Sequence, residues 1–131
     1  MTSYIEARAA IIALVPEFPG WDVFLDGVAT GEHPPWIVVS LSEDGRHHSE
    51  GLSTNSHDAT LDIRVVSTSE SSIGGVCDRL MAALDGARAT PGIAALAPDR
   101  DSGVYASDLV DAKTSIPYLM RVLTWRTGWP A

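Results

Sequence analysis

The sequence predicts a single-domain α+β protein in which two main helices pack on a mixed or antiparallel β-sheet. Two segments place apolar residues at helical spacing between capping and terminating residues, and five others alternate or run apolar as strands do. The predicted element order is therefore α-β-β-β-α-β-β. The chain has 131 residues, close to the usual size of one domain, so we expect a single domain over residues 1–131.

The first helix is predicted to begin at Ser3. Glu6 follows at the spacing of a capping box, in which the two side chains satisfy free backbone N–H groups at a helix start. The apolar face of this helix is formed by Tyr4, Ala7, Ile11, Leu14 and Val15. Pro16 then ends the helical pattern, so we expect a short helix with one face on the sheet.

The second helix is predicted after segment 67–70, which supplies N-cap candidates and a first-turn acid. Its apolar side comprises Ile73, Val76, Cys77, Leu80, Met81 and Leu84, and Gly86 suits the position just past its end. Gly74 and Gly75 each lower helix propensity by about 1 kcal/mol relative to alanine, and close packing against the sheet is the simplest explanation for them. Cys77, the only cysteine, is expected as a small buried hydrophobe rather than a nucleophile.

Five segments have the character of strands. Residues 21–25 form a short candidate, and the nearly continuous apolar run 36–41 is typical of a strand buried on both faces. Residues 59–65 alternate between apolar and polar side chains, so one face of that strand is expected to meet the core. Residues 104–112 and 118–129 complete the predicted sheet.

The connection between the second and third predicted strands is polar. Residues 42–56 are rich in serine, glycine, aspartate, glutamate and histidine, and contain little apolar surface to pack. A connection of this length inside a compact domain tends to be functional. We therefore predict a long hairpin loop with a role in binding.

The charge balance excludes a protein that grips nucleic acid through its phosphates. The formal net charge is −8, the pI is about 4.7, and the nine Lys and Arg residues are scattered along the chain. Phosphate binding needs basic residues gathered on one face to release counterions. The chain also lacks a signal-peptide pattern and any run near 18 apolar residues, so neither secretion nor membrane spanning is expected.

The sequence carries no motif for catalysis, for a metal or for a cofactor. The strongest metal candidates are His33, His47, His48 and His57, with Asp44, Glu50 and Asp58 nearby. They lack the i, i+4 spacing of a zinc helix, and there is no second cysteine. Segment 99–103 begins like a calcium loop but continues with valine where glycine and glutamate are needed, and segment 67–72 is explained by helix capping rather than anion binding. We expect no enzyme activity, no metal and no cofactor.

The last predicted strand carries large apolar side chains on both alternating faces, as does the run 36–41. If both helices cover one side of the sheet, the other side exposes a larger apolar patch than monomers usually tolerate, and another subunit would cover it. If one helix lies on each side, no such patch remains. The sequence leaves both arrangements open, although four tryptophans favour an interface because Trp and Arg are enriched at contact anchors.

Three segments together resemble the tail terminator proteins of long-tailed, siphovirus-type bacteriophages of actinobacteria. They are Pro-Trp-Ile-Val-Val at 35–39, His-Asp-Ala-Thr-Leu-Asp-Ile-Arg-Val-Val at 57–66 with the helix that follows, and Tyr-Leu-Met-Arg-Val-Leu-Thr-Trp-Arg at 118–126. The resemblance extends over residues 3–129 and rests on the order of elements and the texture of the strands.

The resemblance implies a structural virion protein with helices on a β-sheet and no catalytic residues. Six copies would form a ring that caps the head-proximal end of the tail tube, ends tube polymerisation and joins the tail to the head connector. Its partners would be further copies of itself, the major tail tube protein and a connector or stopper protein. Genome DNA would pass through the lumen without specific binding, which an acidic wall favours. The protein would be made in the host cytoplasm and reside in the virion tail.

Contacts in this family use loops and sheet edges, which here involve the predicted loop 42–56. The expected interface residues are Arg46, His47, His48, Glu50, Arg121, Trp125, Arg126 and Trp129. We expect Trp125→Ala and Arg126→Glu to impair assembly more than folding. The alternatives are a phage head-completion or neck protein of similar size, and a small cytoplasmic ligand-binding domain or enzyme.

Overall fold

A computed structural model describes residues 2–31, 33–48 and 54–130 of the chain and confirms the predicted α+β fold. Its elements are α1 (Tyr4–Ile12), β1 (Asp22–Phe24), β2 (Trp36–His48), β3 (Thr54–Ser67), α2 (Glu70–Leu84), β4 (Ala97–Asp101), β5 (Tyr105–Val110) and β6 (Pro117–Pro130). The predicted order is present, and β4 is a short additional strand before the predicted fourth one.

The six strands form one mixed sheet in the order β1-β2-β3-β6-β4, and β5 also pairs with β6. Only the β1–β2 pair is parallel, and all other pairs are antiparallel. The three long strands β2, β3 and β6 form the centre, where Val39 lies opposite Ile63 and Ile63 lies opposite Leu123. The sheet therefore has β1 at one edge and β4 and β5 at the other.

Both helices lie on the same face of the sheet. Their apolar residues share one core with alternate residues of the central strands. This core includes Ala7 and Ile11 of α1, Ile73, Val76, Leu80 and Leu84 of α2, and Ile37, Val39, Leu61, Ile63, Leu123 and Trp125 of the strands. The alternative with one helix on each face is wrong. We call the face opposite the helices the open face.

The helix ends match the signals in the sequence. The backbone N–H of Glu6 donates to Ser3 Oγ at 3.1 Å, and that of Ser72 donates to Ser69 Oγ at 3.3 Å, so both predicted N-caps are confirmed. Gly86 follows α2 with φ +72, a left-handed conformation that glycine adopts without steric cost.

The explanation predicted for the glycine pair in α2 is wrong. A Cβ atom built on Gly74 or on Gly75 meets nothing within 4 Å outside the helix's own turn. Close packing against the sheet therefore does not require these glycines, because α2 contacts the sheet through its larger side chains, such as Ile73 and Leu80.

The predicted hairpin loop is also largely wrong. Strand β2 continues as far as His48 and β3 begins at Thr54, so most of segment 42–56 is paired strand. The pairing is irregular between Glu43 and Gly45, where an extra residue forms a β-bulge. Polar side chains are tolerated here because the backbone ladder, not apolar burial, holds the strands together. Residues 49–53 lie outside the described part of the chain.

Candidate assembly surfaces

Half of the open face is apolar. Its buried residues are Trp36 and Val38 of β2, Val66 of β3 and Tyr118 of β6, and Met120 packs against them. No helix covers this half. Instead, two irregular segments flank it and leave a groove of about 530 Å³ whose floor is formed by the strands. Strand β2 is thus buried on both faces, as predicted.

The first flanking segment, 25–29, is held by arginines from both sides of the sheet. Arg64 of β3 donates to the Gly27 carbonyl oxygen at 2.7 Å, and Arg8 of α1 donates to the Leu25 carbonyl oxygen and, at 3.0 Å, to Asp26 Oδ1. Gly27 has φ +78, and a Cβ atom there would lie 3.2 Å from Ser40 Oγ. The segment can cross the sheet closely only because this position is glycine.

The second flanking segment is the middle of β5, where the strand departs from regular pairing with β6. The Ser107 hydroxyl takes over part of the ladder: it donates to the Tyr118 carbonyl oxygen at 2.7 Å and accepts from the Leu109 N–H at 3.2 Å. Ser107, Asp108 and Leu109 consequently border the groove opposite segment 25–29.

The other half of the open face is polar and carries several acids. Asp44 accepts hydrogen bonds from the Ser42 hydroxyl at 3.2 Å and from the Thr60 hydroxyl. Thr124 of β6 donates to Asp99 Oδ2 at 3.3 Å. Burial raises the pKa of the Asp62 carboxyl, and the nearby charge of Arg64 opposes this shift. This half has the chemistry of a surface that repels polyanions.

The structure corrects the premise that Trp125 and Trp129 are surface residues. Trp125 is 1% exposed, and its indole N–H donates to Asp85 Oδ1 at 2.7 Å. Trp129 is also buried, and its ring stacks on the His57 ring with centroids 5.7 Å apart. Both indoles point to the helix-covered side because odd-numbered residues of β6 share that face with Leu123. Neither side chain is available as an anchor in this fold.

Arg121 is engaged within the chain. Its guanidinium forms a two-pronged ion pair with Asp101, with N···O distances of 2.9 and 2.6 Å, and its side chain is 17% exposed. The hydrogen bond from Arg121 lowers the pKa of Asp101 to about 2 and raises the pKa of the arginine itself. Arg121 therefore fastens β4 to β6, and its role as an interface residue stays a prediction.

Arg126 is the predicted interface residue that the structure does place at a surface. It is exposed on the open face, opposite Thr60 of β3 and Ala97 of β4. The backbones of Arg46, His47 and His48 belong to β2, but their side chains, like all of Glu50, lie outside the described residues. The interface roles of these residues also stay predictions.

The other chemical candidates form ordinary structural contacts. His57 Nδ1 bonds the Glu43 carboxylate, and no group of three potential metal ligands occurs in the described ranges. The Gly103 N–H donates to Asp101 Oδ1 at 2.9 Å, so segment 99–103 contains a surface turn. Burial raises the pKa of the Cys77 thiol to about 11, which keeps it protonated and unreactive at neutral pH.

Sequence reasoning missed the two flanking segments. Segment 25–29 and residues 107–109 lack a regular period, so pattern analysis assigned them no role. The Asp26-Gly27 pair was the one available signal, since glycine after aspartate favours a turn. Their position over the open face depends on hydrogen bonds from Arg64 and Ser107, which are distant in sequence.

Comparison with known proteins identifies a family. Residues 1–115 match the family model described as "Tail completion protein gp17", which covers every element up to β6. No curated protein matches the sequence. Within the described residues, no helix is long and apolar enough to cross a membrane. The match spans well over half of the chain, so the chain belongs to the tail completion protein gp17 family and is a structural protein of bacteriophage tail assembly.

Proposed function

We propose that this protein forms a ring that caps the head-proximal end of the tail tube, ends tube polymerisation and joins the tail to the head connector. The observation that carries the proposal is the uneven covering of the sheet. Both helices lie on one face, and the open face keeps an apolar groove of about 530 Å³ bordered by exposed segments. A sheet with one uncovered apolar region needs a further layer, which assembly supplies.

The partners in this proposal are further copies of the chain, six in the complete ring, together with the major tail tube protein and a connector or stopper protein. The ring resides at the head-proximal end of the virion tail after synthesis in the host cytoplasm. The polar half of the open face supports a lumen that DNA crosses without binding, because Asp44 and Asp62 give it negative charge. The net charge of −8 supports the same role.

The proposal is tested by adding the purified protein to tail tube protein during tube growth. Negative-stain images should show closed rings at one end of each tube, and the mean tube length should fall as the protein concentration rises. Arg126→Glu, which reverses an exposed charge on the open face, should weaken both effects. Arg88→Glu, a matched reversal at an exposed position outside the strands, should not.

Two outcomes would contradict the proposal. A protein that stays monomeric both alone and with tubes, while tube length does not change, would rule out ring formation and termination. Binding to the head connector without binding to tube ends would instead favour a head-completion or neck protein. A monomer in isolation is not sufficient, since the tube end can act as the template for the ring.

A further inference from the structure

The exposed large apolar side chains of the described residues fall into two groups at opposite edges of the sheet. One group, the β1-edge patch, is formed by Ile5, Val23, Leu25 and Val28. The other, the β5-edge patch, is formed by Tyr105, Leu109, Val110 and Ile116. Because β1 and β5 lie at the two ends of the strand order, the two patches face away from each other across the sheet.

The β1-edge patch is a built surface rather than a loose end. Strand β1 is fixed by parallel pairing with β2, in which Val23 lies opposite Ile37. Arg8 ties α1 to the Leu25 carbonyl oxygen and to Asp26. Ile5, one turn earlier on the same helix, remains 78% exposed. These contacts order the backbone while leaving its apolar side chains in water.

The β5-edge patch is equally ordered. Tyr105 lies opposite Met120 and Val110 lies opposite Pro117, so both ends of β5 are fixed to β6. The turn that follows is closed by Asp111, whose carboxylate accepts from the Lys113 N–H at 2.8 Å and whose own N–H donates to the Ile116 carbonyl oxygen at 3.0 Å. Ile116 is nevertheless 64% exposed.

We propose that the β1-edge patch of one copy packs against the β5-edge patch of the next, so that copies join head to tail. This inference rests on the proposed ring and names the surfaces that form it. Unlike patches at opposite edges give a heterologous contact, which generates a closed ring when the rotation between copies closes. An isologous dimer would cover only one kind of patch and leave the other in water.

A second copy is the occupant that the distribution favours. Each patch has four large apolar side chains, so one copy presents both halves of the contact in matched amounts. Burying both patches at once requires a partner that also carries both, and the chain itself satisfies this condition. The groove between Val28 and Leu109 connects the inner margins of the two patches and leaves their outer margins free for neighbours.

Two charge variants test the contact. Ile5→Glu blocks the β1-edge patch and Ile116→Glu blocks the β5-edge patch, while Ala82→Glu places the same charge at an exposed position of α2. A glutamate in the first turn of α1 is compatible with the helix dipole, so Ile5→Glu should fold normally. On tail tubes, each patch variant should lose at least ten-fold in ring occupancy, and the control should match the wild-type protein.

Mixing the two variants distinguishes a head-to-tail contact from any other. Ile5→Glu retains an intact β5-edge patch and Ile116→Glu retains an intact β1-edge patch, so the mixture should form heterodimers that cannot extend. Light scattering after size exclusion, at concentrations where the wild-type protein forms oligomers or with tube ends present, measures this. Homodimers of either variant, or rings from either variant alone, would overturn the inference.

A disulfide provides the second measurement. Within one chain, Val23 and Val110 lie four strand spacings apart, about 19 Å, which is beyond the reach of a disulfide. Oxidation of Val23→Cys/Val110→Cys should therefore give a ladder of linked chains ending at the ring size, and neither single variant should give more than dimers. Wild-type rings without a ladder and with unaffected patch variants would overturn this contact but leave the proposed function intact. The absence of rings and ladder together would overturn both.

Discussion

The two faces of the sheet are stabilised in different ways. On the helix-covered face, apolar side chains interlock and each buried polar group of the core strand β6 described above has a partner, as Trp125 has in Asp85. On the open face, a smaller apolar cluster is flanked by two irregular segments held by single hydrogen bonds from Arg64 and Ser107. The difference indicates a division of labour: one face provides folding stability and the other provides surface for assembly.

The largest expected effect tests the helix-covered face. Trp125→Ala should cost about 3–5 kcal/mol in the free energy of unfolding, because it removes a fully buried indole and leaves Asp85 without its partner. This reverses the sequence-based expectation that Trp125 acts mainly in assembly. Urea denaturation of Trp125→Ala and of Arg126→Glu makes the comparison, since the exposed Arg126 should change unfolding by less than about 0.5 kcal/mol. Equal small effects would refute the division.

A smaller effect is expected on the open face, at Gly27. Gly27→Ala should cost about 1–2 kcal/mol for the left-handed backbone alone, and more because its Cβ would lie 3.2 Å from Ser40 Oγ. Gly20→Ala is the matched control: its φ is +84, but a Cβ there meets nothing within 4 Å. The difference between the two variants in chemical denaturation measures how tightly segment 25–29 lies on the sheet. An equal cost would mean that the close approach has no energetic weight.

The Arg121–Asp101 ion pair should give a smaller and pH-dependent effect. The folded-state pKa of Asp101 is lowered from its ordinary value of 3.8 to about 2, so the pair stabilises the fold above pH 4 and loses this contribution as pH falls toward 2. Asp101→Asn should therefore cost about 1 kcal/mol at pH 6, a figure kept low because the aspartate is partly exposed.

Denaturation at pH 6, 4 and 2.5 measures this effect. The stability difference between the wild-type protein and Asp101→Asn should shrink as the pH falls, whereas Asp108→Asn, at an exposed position of β5, should show no such trend. A difference that stays constant with pH would show that the pair does not titrate as its geometry implies. A difference near zero at every pH would remove Arg121 from the forces that hold β4.

Much of the fold follows from local sequence, but the assignment of faces does not. The capping residues Ser3 and Ser69 and the two-faced burial of β2 were predictable, because their physics acts between neighbours in the chain. Whether both helices share a face depends on packing between distant elements, which a single sequence does not encode in any period. Trp125 illustrates the consequence: beside Thr124 and Arg126 it has the character of an interface anchor, yet strand alternation turns it into the core.

The candidate surfaces were the least predictable part. Strand pairing through 42–48 depends on backbone hydrogen bonds that polar side chains do not reveal, so the sequence suggested a loop. The short strand β4 contains Pro98 and charged residues, which suit a sheet edge but lack strand periodicity. The two edge patches were not predicted, because exposure of Ile5 or Ile116 follows from the position of a whole element rather than from its neighbours.

The smallest expected effect concerns the outer side of α2, the element that separates the core from solvent on the helix-covered face. Gly74→Ala and Gly75→Ala should each raise the free energy of unfolding by about 0.5–1 kcal/mol, because alanine favours the helix and its methyl group meets nothing within 4 Å. Gly86→Ala, at φ +72, should instead lower it, which controls for the general effect of replacing glycine. Thermal or urea unfolding of the three variants makes the measurement.

The same glycine variants also sharpen the comparison between the faces. If α2 serves folding alone, a more stable Gly75→Ala monomer should cap tubes as well as the wild-type protein does. A variant that is more stable but caps fewer tubes would place a subunit or tube contact on the helix-covered side, where the glycines keep the surface of α2 low. That result would assign assembly to both faces, and the division between a folding face and an assembly face would no longer hold.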